Sequence, residues 1–304
     1  MKCLNAKIEK IKPLIIEFYN ENLNNKFLSD RFNIEYLLSE ASYMIENGFA
    51  FMIEEKGSII GYLLSFKIPR IFFGEKSVIT PIFGMYIKDN DLNYITAMFS
   101  NLYKGMLNEG YTHHIMSELG DYTNETLVDM GYGKRLKDAS RYTENEIVDS
   151  SFKLVEAKEY DFKILIDIFT EHEQYLSSGT ILLEREEDLE QELHEVIKDE
   201  DHKFMMFLEG DELIGFTILG NTPAGSPLLM DKETISIKGT HIGSSKQNKG
   251  YGKILLSLIN NYCYRNNIKK QSTDFETMNY KANQFWTKHF NIIATTYLRY
   301  IGKK

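Results

Sequence analysis

The strongest constraint on the fold of this 304-residue chain is that it resembles itself at a spacing of about 154 residues. Gly61 in EEKGSIIGYLLS answers Gly215 in EGDELIGFTILG, and GMYI at 84–87 answers GTHI at 239–242. The same order of expected elements surrounds each match. A fixed internal period of this kind marks a duplicated fold and takes precedence over local assignment. The length agrees, since 304 residues suit two domains better than one. The expected division is 1–150 and 151–304, with the polar run TENEIVDSS at the boundary.

Periodicity predicts helices around Lys12–Asn20 and Ile34–Glu46, then a hairpin of FAFMIEE and GSIIGYLLSF turning at Lys56-Gly57. A strand over Ser77–Ile87 follows, then a helix over Leu92–Asn108 closed by Gly110. A strand at Thr112–Glu118, a short helix at Asn124–Met130 and a strand at Lys134–Tyr142 complete the first half. The second half opens with helices at Tyr160–Leu176 and Glu184–Asp199. KFMMFLE and ELIGFTILG form a hairpin at Gly210-Asp211, and GNTPAGSP leads to a strand at Thr234–Ile242. A helix at Gly250–Arg265, a strand at Gln271–Thr277, a helix at Tyr280–His289 and one or two strands within Ile292–Ile301 close it. The fold class is α/β, a mixed central sheet flanked by helices in each domain.

Composition narrows the function. A net charge of −9 argues against a general nucleic-acid binder, which needs a basic footprint. No apolar run approaches the ~20 residues of a membrane span, and MKCLNAKIEK lacks the apolar region of a secretory signal. Cys3 and Cys263 are too far apart and too isolated for a disulfide framework or thiolate zinc site, and suit a reducing cytoplasm.

The segment richest in chemistry is THIGSSKQNKGYGKILLSLI. A strand ends at Ile242, and Gln247-x-x-Gly250-x-Gly252 runs into an apolar-periodic helix. Glycines there permit close backbone approach and unusual dihedrals. Unpaired first-turn amides and the helix dipole favour a phosphate. Lys238, Lys246, Lys249 and Lys253 occur with no acid among them, a cationic stretch in an acidic chain. The bland alternative is a solvated glycine turn. GxxxxGK[ST] is absent, and the loop is too late and one glycine short for a dinucleotide-binding fingerprint.

Gln247-Asn248-Lys249-Gly250-Tyr251-Gly252 resembles the Q/R-x-x-G-x-G/A motif of the GCN5-related N-acetyltransferase (GNAT) family. Asn279-Tyr280-Lys281-Ala282-Asn283-Gln284-Phe285-Trp286 resembles that family's N-x-x-A-x-x-F-Y segment, in the family's order and spacing. The resemblance covers Phe152–Lys304 well, and the whole chain resembles a tandem form. It implies tandem acyl-CoA N-acyltransferase folds and acetyl-CoA as co-substrate. It implies cofactor contacts at Thr240, Ile242, Gln247, Asn248, Lys249, Gly250, Tyr251, Gly252, Lys253 and Asn279. It also implies that the strand ending Thr240-His241-Ile242 splays from its neighbour and offers its backbone to the pantetheine arm.

Two residues are the catalytic candidates, His241 and Trp286. Trp286 stands where the family often has a tyrosine that protonates the departing thiolate, and indole has no acidic hydroxyl. Another donor or water must serve, or none is needed; as a large packing residue, Trp286 also has a purely structural reading. His241 has a side chain that titrates near neutrality and lies beside the loop, which makes it a candidate base. Glu171 and Glu173 are placed to attract a cationic amine, although an exposed helix face explains them equally. His113, His114 and His202 read as scattered polar sites without metal-ligand spacing.

In the first half, the loop position holds Asp89, Asn90 and Asp91 and no glycine. Carboxylates there would repel a pyrophosphate and compete for its amides, so this half is expected to be a degenerate copy. The leading expectation is an N-acetyltransferase acting on a small-molecule or peptide amine, without nucleic-acid or membrane partners, with room for a homodimer. The alternatives are a non-catalytic acyl-CoA sensor and an interaction protein retaining the fold.

Overall fold

The structure, a computed structural model, describes residues 1–69, 75–88, 92–120, 124–158, 161–177, 188–223 and 225–302. Two compact units divide it, Met1–Lys137 with Ile292–Lys304, and Asp138–Asn291. The closing strand of the sequence therefore lies in the first unit.

The first unit contains β1 (Lys2–Asn5), α1 (Ile8–Asn22), α2 (Ile34–Asn47), β2 (Phe49–Glu55), β3 (Ser58–Ile68), β4 (Ser77–Thr80) and β5 (Met85–Ile87). α3 (Leu92–Glu109), β6 (His113–Leu119), α4 (Asn124–Asp129) and β7 (Gly133–Tyr142) follow, β7 running across the division. β1 to β4 pair antiparallel in sequence order, and β4 pairs parallel with β6. The core lies between this sheet and α3, around Phe99, Met98, Leu102 and Tyr297. Asn33 caps α2 by accepting from the Tyr36 amide, and Lys56 and Gly57 take positive φ at the β2–β3 turn.

The expected single strand over Ser77–Ile87 is two strands. Pro81 has no amide to donate, and the chain turns at Pro81–Gly84, where Gly84 N donates to Pro81 O at 2.7 Å. His114, expected as a scattered polar site without metal-ligand spacing, lies in the core. It is fully buried, with Nε2 2.9 Å from Thr80 Oγ1 and Nδ1 on the Tyr132 hydroxyl. Burial and the Arg299 charge push its pKa down to about 3, so the ring is neutral.

After the end of β7, the second unit continues with a strand that the sequence did not reveal, β8 (Phe152–Glu156), then α5 (Phe162–Ser177) and α6 (Leu189–Lys198). β9 (His202–Glu209), β10 (Glu212–Gly220), β11 (Thr234–Ile242), α7 (Tyr251–Arg265), β12 (Lys270–Glu276) and α8 (Tyr280–His289) complete it. The expected closing strand is one element, β13 (Asn291–Tyr300), antiparallel to β6 in the first unit. β8 to β11 pair antiparallel in order, and β11 pairs parallel with β12, so the sheet is mixed. α5 and α6 bury Phe169, Leu165 and Leu193 against Phe204 and Phe216. Asp188 caps α6 by accepting from the Glu190 and Gln191 amides. The polar run 143–149 is bonded onto α7, Glu144 N donating to Asn260 Oδ1 at 3.0 Å and Glu146 N to Asn261 Oδ1 at 2.7 Å.

The pairing order is the same in both units, and the repeated residues occupy matching registers. Gly61 faces Ile87 across β3 and β5, as Gly215 faces Ile242 across β10 and β11. Each glycine follows a bulge, at Ile60 and Ile214. A side chain on Gly215 would meet His241 O at 2.3 Å, and one on Gly61 would meet Tyr86 O at 3.0 Å, so close backbone approach explains both. Asp89, Asn90, Asp91 and the start of the helix expected from Glu184 lie outside the described residues.

Candidate functional site

β11 holds the centre of the site. β10 stays paired with it through Ile242, but on the other side β12 pairs only with Thr234–Ile237. Among the described residues no strand pairs with that side of β11 beyond Ile237, so the two parallel strands diverge. Thr240, His241 and Ile242 line the cleft of ≈ 510 Å³ that opens there. Leu255, Leu256 and Ile259 of α7 and Trp286 of α8 form its apolar wall. A long thin ligand with a polar head suits such a cleft.

At its mouth the chain makes one 3-10 turn, Ser244–Lys246, and passes through left-handed conformations at Asn248 (φ 61°) and Gly250 (φ 87°) before entering α7. No side chain caps α7. Lys253 N and Ile254 N turn back to Gly250 O at 3.0 and 3.4 Å, while the amides of Tyr251 and Gly252 find no protein acceptor among the described residues. These are the free donors and dipole terminus that a phosphate needs. Gln247 braces the loop, its Nε2 donating to Ile242 O at 3.0 Å and its Oε1 accepting from Lys281 Nζ at 3.3 Å. The Tyr251 hydroxyl ties the helix start to Glu209 at 2.8 Å.

The lysines divide differently from the sequence expectation. Lys246 and Lys253 line the cleft, joined by Lys281 and Lys288 of α8. Lys249 folds back to donate to Ser245 O at 2.9 Å, and Lys238 donates to Thr222 Oγ1 at 2.5 Å. Gln247, Asn248, Gly250, Tyr251, Gly252 and Asn279 also lie in the lining, whereas Lys249 and Lys238 do not. Asn279 caps α8 by accepting from Ala282 N at 3.2 Å and also accepts from the Tyr175 hydroxyl at 2.9 Å.

Trp286 is 8% exposed and packs edge-on against Phe285 and Phe290 at centroid separations of 5.1 and 5.2 Å. His241 is buried, with Nε2 3.0 Å from Glu171 Oε1. Burial lowers its pKa, outweighing the Glu171 carboxylate that would raise it, so the ring is neutral at pH 7 and Nε2–H donates to Glu171. Glu171 Oε1 also accepts from Ser244 N at 2.7 Å and from the Ser244 hydroxyl. Burial acts to raise the Glu171 pKa, but the Ser244 and His241 hydrogen bonds prevail and hold it below the ordinary carboxylate value.

Tyr175, His172 and Lys281 were not singled out as site residues by sequence reasoning. The signal was the α5 face Ile168, Glu171, His172, Tyr175, spaced at one helical turn and directed at the end of β11. No group of three or more potential metal ligands occurs among the described residues, and no described helix is long and apolar enough to cross a membrane.

Residues 165–291 match the sequence profile of the acetyltransferase (GNAT) family. No curated protein matches the chain. Among solved structures, a GCN5-related N-acetyltransferase from Sphaerobacter thermophilus is similar at TM-score 0.54 and 9% identity, over 99% of this chain and 95% of that one. A GCN5-related glucosamine N-acetyltransferase region of a fungal multi-domain GH3 β-N-acetylglucosaminidase is also similar. It has TM-score 0.54 and 9% identity, over 98% of this chain but only 38% of that one. With its splayed parallel strands and uncapped glycine loop, the segment 165–291 is a GNAT-fold acetyltransferase domain.

Proposed function

We propose that the chain is an acetyl-CoA-dependent N-acetyltransferase built from two copies of one fold, 1–150 and 151–304, with the cofactor site in the second. The duplication is supported by the matching registers of Gly61 and Gly215 and by the bulges at Ile60 and Ile214. The observation that carries the activity is the divergence of β11 from β12 into the cleft that Tyr251 and Gly252 also line, with amides that find no acceptor among the described residues.

Those amides, with Lys246 and Lys253, would hold the phosphates, and the edge of β11 at Thr240–Ile242 would accompany the pantetheine arm. Bound acetyl-CoA supplies the acetyl group as an activated thioester. Glu171, held ionised by Ser244 and His241, draws the acceptor's ammonium to its second oxygen. His241 is thereby a positioning residue, because its Nε2–H fixes Glu171. A carboxylate with a lowered pKa is a weak base, so Glu171 orients the ammonium without deprotonating it, and the neutral amine that attacks arises by proton exchange with bulk solvent. Thiolates are good leaving groups, and Trp286 serves as a wall.

The direct test is calorimetry with coenzyme A followed by thiol release over an amine panel. No coenzyme A binding at tens of micromolar protein would end the reading, and binding without thiol release would turn it to a sensor. Glu171→Gln keeps an acceptor for Ser244 but loses the charge. Steady-state kinetics are expected to give an acceptor KM about tenfold higher, roughly 1.4 kcal/mol, with kcat little changed. Trp286→Tyr is expected to cost about 1 kcal/mol in urea unfolding, from the smaller ring, and to keep kcat within a few-fold. A large rise in kcat would instead mean that thiolate protonation limits the rate.

A further inference from the structure

Beside the main cleft lies a second cavity of ≈ 520 Å³, on the α5 side of the end of β11. The two share Tyr175, His241, Gln247 and Lys281, so a ligand in one lies next to a ligand in the other. Among the described residues its lining holds one full anion, Glu171, and one full cation, Lys281; Gln174, Gln247, Tyr175 and Ser244 are uncharged. We propose that this cavity binds an acceptor carrying a carboxylate beside its amine, an amino acid rather than a polyamine or aminoglycoside. This rests on the acetyltransferase reading and gives it a substrate class.

The argument is one of charge and placement. A polycation entering this cavity meets, among the described residues, a single carboxylate. Oε1 of that carboxylate is already shared by His241 and the amide and hydroxyl of Ser244, and Lys281 repels the remaining positive charges. His241, neutral, adds no charge of its own. A zwitterion instead meets a partner for each charge. Its ammonium reaches Glu171, whose side chain is 38% exposed and whose Oε2 bonds to no other group among the described residues. Its carboxylate reaches Lys281, whose ammonium spends one donor on Gln247 Oε1 at 3.3 Å and keeps the others for a ligand.

The Gln247 contact also fixes where that cation stands. Gln247 Nε2 is anchored on Ile242 O at 3.0 Å, so Lys281 is held at the end of β11, one residue past His241. The phosphate-binding loop has other cations in Lys246 and Lys253, which line the main cleft and not this cavity. Lys246 is itself paired with Glu212 at 2.6 Å. Two opposite charges lining one cavity select by pattern, because a ligand with the wrong pattern leaves one of them unpaired.

The test measures thiol release at one saturating acetyl-CoA concentration, with each proteinogenic amino acid against its own carboxamide, and with spermidine and tobramycin. The best amino acid is expected to exceed its carboxamide at least tenfold in kcat/KM and to exceed both polycations. Lys281→Met is expected to bring that ratio close to one, and Lys281→Arg to restore it. Because it is a ratio at one cofactor concentration, any effect of Lys281 on acetyl-CoA itself cancels. Glu171→Gln should weaken acid and carboxamide alike and leave the ratio unchanged. Preference for carboxamides or polycations, turnover of no amino acid, or a ratio indifferent to Lys281→Met overturns the assignment while leaving the acetyltransferase reading intact. Failure to bind coenzyme A in calorimetry overturns both.

Discussion

A Gly250→Asp variant is expected to fold and to lose coenzyme A. Gly250 has φ 87° and ends the loop as the residue before α7, and a side chain placed on it meets nothing within 4 Å. The cost to the fold is therefore backbone strain alone, about 1 kcal/mol, and aspartate tolerates the left-handed region better than most residues. The cost to the ligand is larger and has two sources. A carboxylate at this position competes for the amides of Tyr251 and Gly252, the donors left free for a phosphate. It also places a negative charge against a polyanion at short range, where screening is weakest. Calorimetry should show affinity at least a hundredfold lower, roughly 2.7 kcal/mol, with thermal unfolding nearly unchanged. Gly250→Ala separates the terms, since it carries the strain without the charge. Affinity unchanged in Gly250→Asp would refute the loop as the phosphate site.

What the sequence revealed follows from how local each cause is. The loop was legible because a left-handed residue before a helix calls for glycine, and Gly250 stands there. The match of Gly61 to Gly215 was legible because each lies against the backbone of a facing strand that crowds a Cβ, His241 O at Gly215 and Tyr86 O at Gly61. β8 escaped notice because it is five residues of alternating exposure emerging from a polar run. The break at Pro81–Gly84 had its signal in the proline, which removes a ladder donor from an otherwise apolar strand. The Glu171–His241 contact is of another kind. It joins residues 70 apart, on α5 and β11, and leaves His241, a candidate base by sequence, as a buried neutral ring facing Glu171. No spacing pointed to the pair Asp138 and Asp274, two acids whose pKa values are both raised by burial.

Asp138→Asn is expected to make the protein more stable at pH 8 than the natural sequence is, and to flatten the fall in stability between pH 5 and 8. Asp138 sits in β7, 4% exposed, accepting from Ser226 N at 3.0 Å. Gly225 passes so close that a Cβ there would lie 1.6 Å from Asp138 Oδ1 and 3.3 Å from Asp274 Cβ, so the loop covers Asp138. Burial, then the charge of Asp274, pushes Asp138 from an ordinary 3.8 up to about 7, against the opposing hydrogen bond from Ser226. Burial raises Asp274 as well. A carboxyl with a pKa higher in the folded than in the unfolded chain binds its proton more tightly when folded. The folded state is thus favoured at low pH, and that advantage disappears as pH rises from about 4 through about 7. Each unit of the interval is worth about 1.4 kcal/mol, so between pH 5 and 8 the group removes roughly 2–3 kcal/mol. Asparagine keeps an oxygen for Ser226 N and gains an amide that can donate to Asp274, with no proton to lose. Urea unfolding of the two proteins at pH 5 and pH 8, read as the difference between them at each pH, isolates this group from every other titration. If that difference does not grow with pH in favour of the variant, the carboxyl pair is already ionised under the loop and its environment is more polar than its burial implies.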